Sequence, residues 1–250
     1  MRVVIVTGAS SGIGRVTAAR IGRAGTTVVL AARRADELET VAASIRTSGG
    51  EAVAVPTDVR DPAAIAALVA RAREVTGRID GLVNNAGVGG VASILADDEL
   101  VAKLIDVNLM APIRLMRAVV PIMTEQRSGA IVNIGSVAGE IGISGTYSAT
   151  KFALRGMTDS VRRELAGTGI GVTLIEPGYI ATDLTNHRKG LPGPEIVAAA
   201  VERALQRPRR RVVVPARYRA AITAANALPF LTDRIYAGRA ASRREAKGRP

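Results

Sequence analysis

Tyr147 and Lys151 stand four positions apart in the segment GTYSATKFAL, residues 145–154, of a 250-residue chain with only four tyrosines and four lysines. At that spacing on a helix the two side chains share a face and can act on one small volume. A phenol with a pKa near 10 is a poor base at neutral pH. An ammonium about 4 Å away, at an effective dielectric of ~20, favours phenolate by roughly 4 kcal/mol before desolvation, up to ~3 pKa units. The pair therefore predicts a tyrosine acid/base whose pKa its lysine lowers. Two more polar residues carry the same kind of signal. Ser136 closes the apolar run GAIVNIGS, and Asn108 lies inside a long helical stretch, where asparagine is unfavourable. Taken singly, each has a plainer reading: a serine capping a turn, an asparagine bonded to backbone.

These positions need a frame that brings them together, and the hydropathy pattern supplies one. RVVIVT at 2–7 reads as a buried strand, followed by a helix that Gly25 closes. The order then repeats: strand TTVVLAAR, helix ADELETVAASIRTSG, strand EAVAVPTD, helix DPAAIAALVARAREVTG with Pro62 near its start, strand IDGLVNN. It continues through a long helical stretch at about 98–125, the strand GAIVNIGS, a helix at about 147–166 and the strand GIGVTLIEPG. A final helix, PEIVAAAVERALQR, precedes the strand RRRVVVP and a helical segment at about 216–237. Strands alternating with helices of this length predict an α/β fold with a doubly wound parallel sheet. With no linker or fixed-period repeat, residues 1–237 are expected to form a single Rossmann-like domain. A Gly-, Pro- and Thr-rich substrate loop is expected at about 178–194, and residues 238–250 read as a disordered basic tail.

The loop TGASSGIG, Thr7 to Gly14, joins the first strand to the first helix. Its glycines permit a tight turn and close backbone approach, and the helix N-terminus beyond them offers free N–H groups to a pyrophosphate. This is a dinucleotide-binding loop of spacing G-x-x-x-G-x-G, with Gly8, Ser10, Ser11, Gly12, Ile13 and Gly14 as candidate contacts. Its sequence, NNAG at 84–87, VNL at 107–109, Ser136, Tyr147-x-x-x-Lys151 and Pro177-Gly178 together resemble the short-chain dehydrogenase/reductase family over about residues 3–182.

The resemblance implies an NAD(P)(H)-dependent oxidoreductase acting on a carbonyl/alcohol pair, with strand order 3-2-1-4-5-6-7. It implies that Tyr147 exchanges the proton, Lys151 also bonds the nicotinamide ribose, and Ser136 donates to the substrate oxygen. Asn108 would hold a water linking Lys151 to solvent. Asp58 and Val59 would meet the adenine, Asp58 accepting from its amine. Asn85, Ala86 and Gly87 would line the adenosine ribose and central cofactor, and Pro177, Gly178, Ile180 and Thr182 the nicotinamide. Family members commonly form homodimers or homotetramers through the helices that carry Asn108 and Tyr147. The eleven positions from Ser136 to Tyr147 are fewer than in many members, which bears on where Ser136 is delivered.

The second strand ends AARR, with Ala32 where an acidic residue would bind the 2′-hydroxyl of NAD(H), followed by Arg33 and Arg34. Guanidinium groups there suit a 2′-phosphate, so NADP(H) is the expected cofactor rather than NAD(H). Zero cysteines exclude a disulfide, a thiol nucleophile and a zinc-thiolate site, and together with the lack of a signal-peptide pattern suggest a cytoplasmic protein. No metal site is expected, since the single His187 sits in the loop without a partner ligand. Tyr179, Ile180, Leu184 and Leu191 are candidate walls for a small apolar carbonyl or alcohol substrate. No uninterrupted apolar run predicts a membrane-spanning helix. Of the net charge of +12, an excess of ten lies in residues 207–250, which hold twelve basic and two acidic residues. That segment lacks the aromatics of a nucleic-acid surface, but peripheral contact with an anionic membrane is one use of it. A catalytically silent NADP(H) sensor on the same fold is a rival reading, against which the presence of Asn108, Ser136, Tyr147 and Lys151 weighs.

Overall fold

The computed structural model describes residues 2–89, 94–185 and 189–237. The Val- and Ile-rich segments form seven strands: β1 (Arg2–Thr7), β2 (Thr26–Ala32), β3 (Glu51–Pro56), β4 (Gly81–Asn84), β5 (Gly129–Ile134), β6 (Ile170–Pro177) and β7 (Arg211–Val214). All neighbours pair in parallel, in the order β3-β2-β1-β4-β5-β6-β7. The order reverses direction at β1 and β4, so a crevice opens beyond their carboxyl ends, where open α/β sheets bind ligands.

Strand alternation divides the core into two layers. Val4 and Val6 of β1 face one layer with α1 (Gly12–Arg23), α2 (Ala35–Thr47) and α7 (Glu195–Gln206). Val3 and Ile5 face the other, with α3 (Pro62–Thr76), α5 (Ala111–Gln126) and the inner side of α6 (Gly145–Glu164). Local chemistry sets the helix starts. Asp61 accepts from the Ala63 N–H at 2.8 Å with Pro62 behind it, and Asp97 accepts from Leu100 N at 2.7 Å to open α4 (Asp98–Ile105).

The stretch expected as one long helix is α4 and α5 joined by a π-helical turn over Asp106–Met110. As a continuous run, 98–126 is long and apolar enough by length and composition to cross a membrane, although Asp106, Arg114 and Arg117 interrupt it. Half of its most apolar window is buried here, with Leu104, Leu115, Val119 and Met123 in the core, as in a helix that packs on a sheet. The C-terminal segment also divides, into α8 (Tyr218–Ala227) and a further helix over 229–237. The tail at 238–250 and His187 lie outside the described residues.

Candidate active site

A cleft of ≈ 510 Å³ runs along the carboxyl edge of the sheet, and the loops after β1, β2, β3, β4, β5 and β6 line it. At one end is the glycine loop. A Cβ on Gly14 would lie 2.2 Å from the Gly8 carbonyl oxygen, so only glycine lets α1 start this close to β1. Ser11 precedes α1 without a side-chain capping bond, and the first turn carries no acidic residue. The helix therefore offers uncapped N–H groups and an unopposed positive end to an anion. Gly8, Ser10, Ser11, Gly12 and Ile13 line the cleft, and these features fit a dinucleotide pyrophosphate.

Arg33 and Arg34 follow β2 on the wall of the same cleft. Arg34 donates to Ser10 Oγ at 3.2 Å and pairs with Glu37 at 2.7 Å, whereas Arg33 makes no hydrogen bond or ion pair among the described residues. Asp58 and Val59 line the cleft next to them. Asp58 is not a free acceptor, because Arg60 grips it with a closest approach of 2.6 Å. The Arg60 hydrogen bonds chiefly, with a smaller pull from Arg33, hold its carboxyl below the usual range. An adenine amine would share that carboxylate with Arg60, a residue that sequence reasoning passed over.

In the centre, Asn85, Ala86 and Gly87 line the cleft, but the Asn85 amide is spent locally. Its Nδ2 donates to the Thr7 carbonyl at 2.8 Å, while Thr7 Oγ1 accepts from the Asn85 and Ala86 N–H groups at 3.0 Å each. Thr7, which the sequence reading treated only as the edge of the loop, thus ties the β1 and β4 loops together. Asn108 is 1% exposed and equally occupied: it accepts from Val88 N and donates to Val88 O, both at 2.9 Å. It sits in the π turn and not in a regular α-helix, and its contacts make it a clamp on the loop after β4.

At the far end, Ser136, Tyr147 and Lys151 line one wall. A 3-10 turn at Val137–Gly139 compacts the short connection after β5, with Ser136 Oγ accepting from Ala138 N at 3.1 Å. Ser136 lies close enough to Tyr147 to pull its phenol towards phenolate. The short connection therefore does not separate the two. Lys151 is buried, donates from Nζ to the Ile134 carbonyl at 3.0 Å and lies 5.8 Å from the centre of the Tyr147 ring.

The electrostatics correct the sequence expectation for Tyr147. Its pKa is raised, not lowered: burial outweighs the pull of Ser136, and Tyr179 nearby adds to the rise. Burial also brings Lys151 down to about 8. The lysine is held by a backbone carbonyl and weakened by the same desolvation it was expected to offset.

Pro177, Gly178, Ile180 and Thr182 continue the wall beyond β6. Gly178 is required by packing, since a Cβ there would meet the Tyr218 ring of α8 at 2.2 Å. Ile180 lines the cleft but is 3% exposed within the core, so it is a support for the wall and not an open apolar surface. Tyr179 and the exposed Leu184 line the cleft, and Leu191 does not. Lys103, Ile143 and Ser144 join the lining without a sequence signal of their own.

Behind this wall lies a cluster that sequence reasoning missed. Arg211 of β7 pairs with Glu140 at 2.9 Å and also with Glu176, and Arg155 of α6 pairs with Glu140 at 2.9 Å. Glu140 and Glu176 are 4% and 1% exposed. Burial first, then the hydrogen bond to Glu140, pushes Glu176 up to about 8. One carboxylate inside the apolar run VTLIEPG was the available signal, because a charge in a central strand needs a partner.

A family profile described as short chain dehydrogenase matches residues 2–190. The chain is 36% identical over 225 residues to the ketoacyl reductase HetN of Nostoc sp., covering 85% of this chain and 78% of that protein. It is 39% identical over 195 residues to a 3-oxoacyl-[acyl-carrier-protein] reductase of Synechocystis sp., covering 76% and 79%. Among solved structures, the 3-ketoacyl-(acyl-carrier-protein) reductase from Brucella melitensis complexed with NADH superposes with a TM-score of 0.79 at 27% identity, over 85% of this chain and 96% of that one.

Proposed function

Since the chain belongs to the short-chain dehydrogenase family, we propose that it is an NADP(H)-dependent oxidoreductase that interconverts a carbonyl and a secondary alcohol, with Tyr147 as acid/base. The observation that carries this reading is the grouping of Ser136, Tyr147 and Lys151 on one wall of the cleft whose other end is the glycine cradle. The nicotinamide cofactor supplies or accepts hydride when bound. Gly8 to Gly14 would hold its pyrophosphate, Arg33 and Arg34 its 2′-phosphate, Asn85 to Gly87 its central part, Lys151 its ribose, and Pro177 to Thr182 its nicotinamide end.

In reduction, Tyr147 Oη donates its proton to the carbonyl oxygen, and the Ser136 hydroxyl turns to donate to the same oxygen as negative charge develops there. Lys151, charged below about pH 8, stabilises the phenolate left behind. A phenol held protonated by burial suits this direction better than alcohol oxidation. Tyr179 and Leu184 favour an apolar portion of substrate. Homo-oligomerisation through the helices bearing Asn108 and Tyr147 is consistent with the half-open Ile105 and Phe152, each 40% exposed. A cytoplasmic location is part of the same proposal.

The test is Tyr147→Phe assayed with NADPH against ketones of graded size. A loss of about 100-fold or more in kcat, with cofactor binding kept, is expected; unchanged turnover would sink the mechanism, and a wild type that binds NADPH but reduces no ketone would favour the silent sensor. Arg33→Asp should swing the ratio of kcat/KM for NADPH over NADH towards NADH, and an unmoved ratio removes Arg33 from the cofactor site.

A further inference from the structure

The last described stretch of the chain exposes apolar side chains that nothing in the fold requires to be there. Leu228, Phe230, Leu231 and Ile235 are 43%, 64%, 44% and 56% exposed, all within eight consecutive positions. The helix before them, α8, buries only Ile222. Contiguous exposed apolar surface of this kind marks an interaction site.

The same arm borders a strongly basic cleft. A depression of ≈ 920 Å³ between α7, β7 and α8 has Arg203, Arg207, Arg209 and Arg219 on its rim, with Val212 and Ile222 among its apolar lining. No acidic residue lines it, and none of those four arginines forms an ion pair among the described residues. Arg234 lies within the helix at 229–237, and residues 207–250 hold twelve basic against two acidic residues.

Charge decides among occupants. A second copy would bring the same positive excess to the contact, which repels. Nucleic acid would satisfy the arginines and leave Phe230, Leu231 and Ile235 in water. An anionic bilayer meets both needs, phosphates for the guanidinium groups and an acyl boundary for the apolar side chains. We propose that the segment from α8 through residue 237 is a peripheral membrane-docking arm, with Phe230, Leu231 and Ile235 entering the bilayer interface, and that Arg219 and Arg234 of the arm, with Arg207 and Arg209 of the neighbouring cleft, hold lipid phosphates.

The full chain is sedimented with vesicles of phosphatidylglycerol and phosphatidylcholine in equal parts, and with vesicles of phosphatidylcholine alone. At 0.1 M salt the bound fraction should be about tenfold higher on the anionic vesicles and should collapse at 1 M salt. Phe230→Ser with Ile235→Ser keeps the charge, and Arg219→Gln with Arg234→Gln keeps the apolar surface. Each pair should cut anionic binding by about tenfold, because stable docking takes both signals. All four positions are exposed, so circular dichroism and NADPH binding should not change. Equal or absent binding to the two vesicle types overturns the proposal, as does undiminished binding by the serine pair. Two other results also overturn it: a lower mass of the serine pair by light scattering without lipid, which makes the arm a contact between copies, and capture by duplex DNA but not vesicles.

Discussion

At the residue scale, Lys151 is the group whose titration should be visible. Its folded pKa of about 8 lies below the ordinary lysine value of 10.5, so the folded chain loses this proton first as pH rises. The proposed carbonyl reduction calls for Tyr147 protonated, which its raised pKa favours, and Lys151 charged. We expect kcat/KM for reduction to be level from about pH 6 to 7.5 and to fall by about tenfold per unit above pH 8, where the free enzyme loses its ammonium. Lys151→Arg should be less active and lack that descent. A wild-type profile level to pH 9.5 would detach the reaction from this lysine. The stability consequence has a definite sign. Below pH 8 both states are protonated and the folded state carries the whole burial penalty, which is relieved as pH rises from 8 to 10.5 because only the unfolded chain then holds the proton. Lys151→Met should therefore abolish turnover while stabilising the fold at pH 7 by about 1–3 kcal/mol, measured by urea unfolding.

At the scale of elements, the cluster of Glu140, Glu176, Arg155 and Arg211 ties the turn after Ser136, the end of β6, helix α6 and β7 into one block behind the wall that carries Ser136, Tyr147 and Lys151. Glu176 titrates near 8 in the folded state against 4.5 ordinarily, so between those values the folded chain binds the extra proton. Its contribution is therefore present at pH 4.5 and lost as pH rises through 8. Glu176→Gln, which resembles the protonated acid, should flatten the fall in Tm between pH 6 and 8. Arg211→Met should cost about 3–5 kcal/mol, since it leaves the buried Glu176 without its guanidinium and Glu140 with Arg155 alone. A Tm slope unchanged by the glutamine would mean that the proton resides elsewhere. Sequence reasoning found the alternating elements, because Val-rich strands and amphipathic helices announce their period. It missed this cluster, because pairing between chain positions 140, 155, 176 and 211 follows from register and not from local pattern. It also missed the π turn at Asp106–Met110, because helical hydropathy runs through it unbroken. The Tyr147 direction failed for the same kind of reason: i, i+4 spacing locates a lysine beside a tyrosine but does not count how much water burial removes from both.

At the scale of the molecule, the cleft draws on residues from Gly8 to Thr185, and its walls come from both sides of the sheet. A ligand filling it therefore bridges segments that must all be native at once, and binds the folded state without a counterpart in the unfolded chain. Mass action makes this measurable without turnover: at a free concentration 100 times Kd, the folded state gains about 2.7 kcal/mol. For a chain of this size that corresponds to a rise in Tm of roughly 5–10 °C. NADPH should give that shift, and NADH at equal concentration a smaller one, if Arg33 and Arg34 receive the 2′-phosphate. Arg33→Asp should then remove most of the NADPH excess and leave the NADH shift in place, since the glycine cradle and α1 serve the pyrophosphate common to both. Equal shifts from the two dinucleotides in the wild type would assign the arginines after β2 to the solvent and leave the family's general dinucleotide cradle as the whole of the recognition. A shift that is equal and also falls with Arg33→Asp would instead place Arg33 on the adenosine itself, next to the Asp58–Arg60 pair that already crowds that end.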